Sequence, residues 1–367
     1  MMVYVGSVGL GIPPYTIKQE EVKQLVRDIF KHSAANKIKK LLPVFENARV
    51  KERQFVVNKN WFKEERTFKD TNELYVDQTI KLSLEAIDRC LHHPHLRKHI
   101  PYEAIDMIVF VSSSGIAAPS IDAHLLNHRP FREDVKRMPL WGLGCAGGAI
   151  GISRGFEWAK LYPERNVLVI SSELCSITFQ KKDTSTSNIV GTALFGDGVA
   201  ATLLIGSKSK YLNFLSRTKL KINSTSSYTK KDTTHIMGWN VSETGLEVIF
   251  SKSIPKLVKT LWKDHVHSLL QQENVKVEDL SALIAHPGGR KVLEEMERSL
   301  HIDRHLLRYS YEVLEKHGNM SSATVMYVLE KWLNSEKRLS FPQNKGILCA
   351  LGPGFSSELI SMEWIEA

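Results

Sequence analysis

Residues 142–149 read Gly-Leu-Gly-Cys-Ala-Gly-Gly-Ala. They stand between two apolar, β-branched runs, Met-Ile-Val-Phe-Val at 107–111 and Val-Leu-Val-Ile at 167–170. Both runs are short and lack polar residues, and the first runs straight into Ser112, Ser113, Ser114 and Gly115. This is the pattern of strands buried on both faces and closed by turns. The small residues between them let the backbone turn sharply, and 149–161 predicts a helix. Strand, small-residue turn, helix and strand in that order predict an α/β chain with a largely parallel sheet.

Working outward, the same phrase occurs twice. In the first half a helix near 76–91 precedes the 107–111 strand, Gly144-Cys145 opens a helix, and strands at 167–170 and 200–205 follow. In the second half a helix near 252–270 precedes a strand at 282–285 (Ala-Leu-Ile-Ala). Gly318-Asn319 then leads into a helix over 322–333, and Ile-Leu-Cys-Ala-Leu at 347–351 is the next strand. A further helix is expected over 291–300. Two halves, 1–218 and 219–367, with reactive side chains at equivalent helix starts are what a duplicated catalytic fold gives. The polar stretch 216–232, rich in Ser, Thr and Lys, is the expected connection between them.

The bulk composition narrows the function classes. The 367 residues are 43% hydrophobic and 24% charged, enough to build one large domain or two halves with real cores. The net charge of +9 is spread among acids along the predicted helices, which argues for a solvated basic surface rather than a nucleic-acid site. It is compatible with a phosphorylated small molecule. The amino-terminal Met-Met-Val-Tyr-Val-Gly-Ser-Val-Gly-Leu-Gly-Ile-Pro-Pro reads as a buried strand and lacks the basic flank of a signal peptide. No run reaches the ~18 apolar residues of a membrane span. The four cysteines, at 90, 145, 175 and 349, have no metal-site spacing, and four reduced thiols in the cytoplasm is the expectation.

Three places carry chemistry. Cys145, ringed by glycines at a helix start, has the setting of a nucleophile, since the positive helix end favours thiolate. Without those glycines it would be read as a buried structural cysteine, as Cys90 and Cys349 are. His286, in Ala-His-Pro-Gly-Gly (285–289), follows an apolar strand at the end where α/β folds hold ligands. The His92-His93-Pro94-His95 cluster lies in a polar loop without metal-type partners. Asn319, in Gly-Asn-Met-Ser-Ser-Ala (318–323), would alone pass for a helix cap. Together a thiol, a base and an amide form a set for acyl transfer with a stabilised oxyanion.

These segments, with Gly-Thr-Ala-Leu-Phe-Gly-Asp-Gly at 191–198, Gly-Leu-Gly-Ile-Pro at 9–13 and Leu-Gly-Pro-Gly at 351–354, resemble the type III polyketide synthases of the chalcone synthase superfamily over nearly the whole chain. The resemblance implies a thiolase-like fold of two duplicated αβ halves in a layered αβαβα arrangement, and a homodimer whose interface lies near 113–122. It implies that Cys145 carries the starter acyl group and that His286 pairs with the thiolate. His286 and Asn319 would stabilise the enolate left by decarboxylating malonyl-CoA, and Phe195 would orient the malonyl group. The coenzyme A thioesters are substrates; no metal or organic cofactor is implied.

The same alignment places Ser113, Ser114, Ala118, Cys175, Thr178, Trp239, Val248 and Ser321 around the substrate. Val248 replaces a second gatekeeper phenylalanine of the plant enzymes, and Trp239 stands where they have glycine. Of their phosphate-binding basic residues only Lys40 has a counterpart, with Pro43 and Asn47 at the other places. Lys51, Arg53, Arg290 and Lys291 are the candidate substitutes. Small side chains at Ala118 and Cys175 suggest room for an alkyl chain, hence a fatty acyl-CoA starter and an alkylpyrone or alkylresorcinol product. The competing readings are a ketoacyl synthase of the fatty-acid initiation type, a thiolase using Cys349 as second cysteine, and an inactive acyl-CoA-binding paralogue.

Overall fold

The computed structural model describes residues 1–335 and 344–366. Its strands, in chain order, are β1 (Val3–Gly11), β2 (Tyr15–Lys18), β3 (Glu52–Phe55), β4 (Met107–Ser112), β5 (Lys136–Trp141), β6 (Asn166–Leu174), β7 (Asp197–Gly206), β8 (Thr218–Thr229), β9 (Met237–Ser242), β10 (Gly245–Phe250), β11 (Leu280–Ala285), β12 (Lys345–Gly352) and β13 (Ser356–Glu366). Nine of them form one mixed sheet in the order β11-β12-β13-β8-β1-β7-β6-β4-β5.

That order contains the repeat. In the first half β1 pairs antiparallel with β7, β7 antiparallel with β6, and β6 parallel with β4. In the second half β8 pairs antiparallel with β13, β13 antiparallel with β12, and β12 parallel with β11. β5 extends the first half and has no counterpart in the second among the described residues. The halves join edge to edge where Val3–Val5 of β1 pair with Leu220–Ile222 of β8.

The alternation of side chains along each strand sorts the core into layers. In β4, Ile108 and Phe110 join the cluster under helix Phe68–Leu91, while Met107, Val109 and Val111 join a central cluster. In β12, Leu348 and Ala350 face that central cluster, and Ile347, Cys349 and Leu351 face a third one with Trp262, Val266 and Leu293. The central layer holds helices Gly147–Leu161 and Thr324–Leu333, packed between the two halves of the sheet. Helix, sheet, helix pair, sheet and helix give the expected five layers.

The outer helix Phe68–Leu91 begins in a capping box. The Thr67 hydroxyl accepts from Asp70 N at 3.2 Å, and the Asp70 carboxylate accepts from Thr67 N at 2.8 Å. It buries Leu82, Ala86, Ile87, Cys90 and Leu91 against the sheet. Each leucine or isoleucine among them contributes roughly 1.5–3 kcal/mol, and Leu82→Ala would cost about 2–5 kcal/mol.

Two expectations are corrected. The polar stretch 216–232 is not a free connection: most of it is β8, paired with β13 along its length and with β1 near its start. Its serines and threonines suit a pleated surface, and their hydroxyls find partners: Ser226 Oγ meets His265 Nε2 at 2.9 Å and Ser227 donates to Glu358 at 2.6 Å. The division after residue 218 therefore falls at the first residue of a strand. The helix expected near 252–270 runs as Ile254–Leu257, a π turn at Val258–Trp262, and Lys263–Gln272. The indole of Trp262, fully buried, sits in that turn. No helix among the described residues is long and apolar enough to cross a membrane.

Candidate active site

The duplicated topology brings the two helix starts of the central layer together. Cys145 lies in the short 3-10 turn Gly144–Ala146 ahead of helix Gly147–Leu161. Asn319 precedes the equivalent turn, Ser321–Ala323, ahead of helix Thr324–Leu333. Gly148 makes the approach possible, because a Cβ there would stand 2.1 Å from the Ser322 carbonyl oxygen. His286 follows β11 and donates its main-chain N–H to Cys349 O at 2.8 Å, next to β12.

The half-buried Cys145 Sγ lies 3.9 Å from Asn319 Oδ1 and 4.0 Å from Nδ2. The amide is held: Oδ1 accepts from Ser321 N at 2.8 Å and Nδ2 donates to Gly288 O at 3.3 Å. Burial pushes the Cys145 thiol up to about 11. The Ser321 hydroxyl and the Asn319 amide pull it back, and the Glu173 charge pushes it further up. Burial also drives the His286 imidazole down to about 3, and neither ring nitrogen has a hydrogen-bond partner. Burial thus opposes charge on the thiol and on the imidazole alike.

Phe195 ends the helix Thr186–Leu194, whose Ser185 cap accepts from Asn188 N at 3.1 Å. Its ring lies 5.9 Å from that of Trp239 and 5.6 Å from that of Phe250. Trp239 and Val248 are register partners in the β9–β10 hairpin. Phe195, Val248, Cys175 and Thr178 line one cavity of about 30 Å³, with Val22, Phe62 and Phe179 among its other walls. Ser113 Oγ accepts from Gly144 N at 3.1 Å and so braces the turn beside Cys145, while Ser114 Oγ accepts from Leu174 N at 2.9 Å at the end of β6. Ser321 holds a left-handed backbone at φ 46°.

Glu173, at the end of β6, is a functional candidate that sequence reading missed. Fully buried, it accepts from Ser113 N at 3.1 Å and Ser322 Oγ at 2.6 Å, linking the loops of the two halves. Burial raises its carboxyl to about 7. The only sign in the sequence was an acid closing a run otherwise suited to the core.

Two predicted contacts are corrected. Arg53 has no exposed surface and donates to the carbonyls of Thr192, Ala193 and Phe195, so it is shut away from any coenzyme phosphate. Ala118 lies on an exposed loop rather than in this chain's cavity. Among the other candidates, Lys40 and Lys291 are exposed; exposed Lys51 pairs with Glu315 and half-buried Arg290 with Glu294. Among the described residues no three His, Cys, Asp or Glu side chains gather as metal ligands.

Comparison with known proteins gives the same picture. Residues 2–209 match the family described as chalcone and stilbene synthases, N-terminal domain, and residues 222–365 match its C-terminal domain. A Bacillus subtilis protein provisionally named a chalcone synthase is 43% identical over 367 residues, covering 99% of each chain. The 1,3,6,8-tetrahydroxynaphthalene synthase of Streptomyces peucetius is 31% identical, over 98% of this chain and 93% of its own. The crystal structure of the Streptomyces coelicolor tetrahydroxynaphthalene synthase, a bacterial type III polyketide synthase, superposes with a TM-score of 0.89. It shares 26% identity and the match covers 99% of this chain and 100% of that one.

Proposed function

The chain belongs to the chalcone and stilbene synthase family and is a condensing enzyme of the type III polyketide synthase class, and from that premise we propose that it extends a fatty acyl-CoA starter with malonyl-CoA to alkylpyrone or alkylresorcinol products. Cys145 passes its proton to His286 as it attacks the starter thioester, and coenzyme A leaves. Malonyl-CoA then enters. His286 and Asn319 donate to its thioester oxygen, carbon dioxide departs, and the enolate carbon attacks the acyl-Cys145 carbonyl; the carbon–sulfur bond then breaks, freeing the Cys145 thiolate and leaving the extended chain on coenzyme A. The Phe195 ring borders the malonyl position. The chain acts as a homodimer with coenzyme A thioesters as its small-molecule partners.

The observation behind the alkyl starter is the cavity beyond Cys175 and Thr178. Its walls include Val22, Leu25, Val26, Phe55, Phe62 and Phe179, which offer dispersion contacts to a hydrocarbon and few hydrogen bonds to an aromatic phenol. One observation favours a second reading. At about 30 Å³ the cavity is small, which suits a short starter such as malonyl-CoA itself better than a long acyl chain. Purified protein mixed with malonyl-CoA and acyl-CoA starters of rising chain length, with products read by mass, separates the two. Products whose mass tracks the starter support the lipid reading. A single product that ignores every added starter overturns it.

A further inference from the structure

A strand remote from the reacting atoms holds both sides of this site. Arg53, on β3, aims its guanidinium at the carboxyl end of helix Thr186–Leu194. Nη1 donates to Thr192 O at 2.9 Å and Phe195 O at 3.0 Å, and Nη2 to Ala193 O at 3.1 Å. These carbonyls stand at the negative end of the helix, where intrahelical donors run out. Gln19 Nε2 also donates to Ala193 O, at 3.1 Å.

The next residue reaches the other wall. Gln54 Nε2 donates to Lys316 O at 3.4 Å, and Gln54 Oε1 meets His317 Nδ1 at 2.6 Å, two residues before Asn319. The main-chain N–H of Val56 donates to Asp197 at 2.9 Å, immediately after the Phe195-Gly196 turn. Between the walls, Asn319 N donates to Leu194 O at 2.8 Å and Gly196 N donates to Asn319 O at 3.0 Å. Gly318 passes through this junction at φ 68°, where a Cβ would stand 2.6 Å from Leu194 O.

A fully buried guanidinium is costly to desolvate, and stability alone could be served by an apolar side chain of the same size. What an apolar side chain cannot supply is a planar fork that fixes three carbonyls around one phenylalanine. We propose that Arg53 is a positioning residue for condensation: with Gln54 it sets the Phe195 ring and the Asn319 amide relative to each other, and so sets where the malonyl thioester is held. The proposal rests on the reading of this site as a malonyl-CoA decarboxylating centre.

The test uses full-length Arg53→Met, Arg53→Lys and Gln54→Met. Two rates are measured on each: carbon dioxide release from malonyl-CoA, and alkylation of Cys145 by iodoacetamide followed by peptide mass. Alkylation is expected to stay within about twofold of wild type, because Ser113 holds the Cys145 turn through Gly144 N, independently of Arg53. Decarboxylation kcat is expected to fall about 100-fold in Arg53→Met and about 10-fold in Arg53→Lys, the scale of a misplacement near 1 Å. Wild-type decarboxylation in folded Arg53→Met overturns the proposal, as does an equal fall in both rates, which marks lost folded protein. If Arg53→Met does not fold, wild-type decarboxylation in both Arg53→Lys and Gln54→Met overturns it instead. Wild-type protein that reacts with iodoacetamide but releases no carbon dioxide defeats the functional reading itself.

Discussion

Phe195 and Asn319 are joined by a short parallel bridge, so the aromatic wall of one half and the amide donor of the other move as one unit. The Asn319 side chain is fixed too: Oδ1 accepts from Ser321 N and Nδ2 gives one hydrogen to Gly288 O, so the second Nδ2 hydrogen is the one left for donation. A preorganised donor is worth most where charge develops. Asn319→Ala and His286→Ala are therefore each expected to lower malonyl-CoA decarboxylation about 100- to 1,000-fold while leaving Cys145 open to alkylation. Asn319→Ala also orphans the Ser321 amide, a loss of about 1–3 kcal/mol visible in thermal unfolding. Carbon dioxide release beside a melting curve checks both.

Chain-length selection should lie with the ring cluster under the cavity. Phe62 and Phe179 pack edge to face at 6.1 Å, and Phe179 meets Phe30 at 6.2 Å. Phe179→Ala is expected to shift the preferred acyl-CoA toward longer chains, at a stability cost of about 1–3 kcal/mol, less than for a fully buried phenylalanine because Phe179 is half-buried. Relative kcat/KM across a starter series measures the shift. Unchanged preference would place the starter elsewhere.

Much of this was legible in the sequence because it rests on local patterns. The apolar runs at 107–111, 167–170, 282–285 and 347–351 could only be buried strands, and the glycines around Cys145 marked a close approach. What failed to show was long-range. Arg53 read as a candidate coenzyme A phosphate contact because nothing local announces carbonyls 139 to 142 residues away as its partners. β8 read as a linker because its serines are satisfied by His265 and Glu358, residues far along the chain. Glu173 was missed for the same reason, since its partners Ser113 and Ser322 come from opposite halves.

Glu173 gives a pH dependence with a definite sign. Burial raises its carboxyl to about 7 in the folded chain, from an ordinary value of 4.5. The folded state thus holds a proton that the unfolded state has released over that interval. Its contribution is present in full below the ordinary value and is lost as pH rises through about 7, up to roughly 3 kcal/mol in all. Glu173→Gln removes the titration. The stability of wild type relative to Glu173→Gln is expected to fall between pH 5 and pH 8; parallel denaturant midpoints across that range would contradict it.

Gly148 tests whether the two helix starts must touch. A Cβ there would stand 2.1 Å from Ser322 O and 3.0 Å from Val325 Cγ1. The first neighbour is backbone and cannot rotate away, so Gly148→Ala must push the Cys145 helix and the Asn319 helix apart. Overpacking of this kind costs about 1–3 kcal/mol. Its effect on rate should be selective. Alkylation needs only the thiol, and decarboxylation only the donors, so each is expected to fall little in the folded variant. Condensation needs the enolate within bonding reach of the acyl-Cys145 carbonyl, and reach is what the separation removes. Product formation is therefore expected to drop about tenfold or more beyond either partial reaction, measured as polyketide formed per carbon dioxide released. Wild-type coupling in a folded Gly148→Ala would show that the contact serves packing alone.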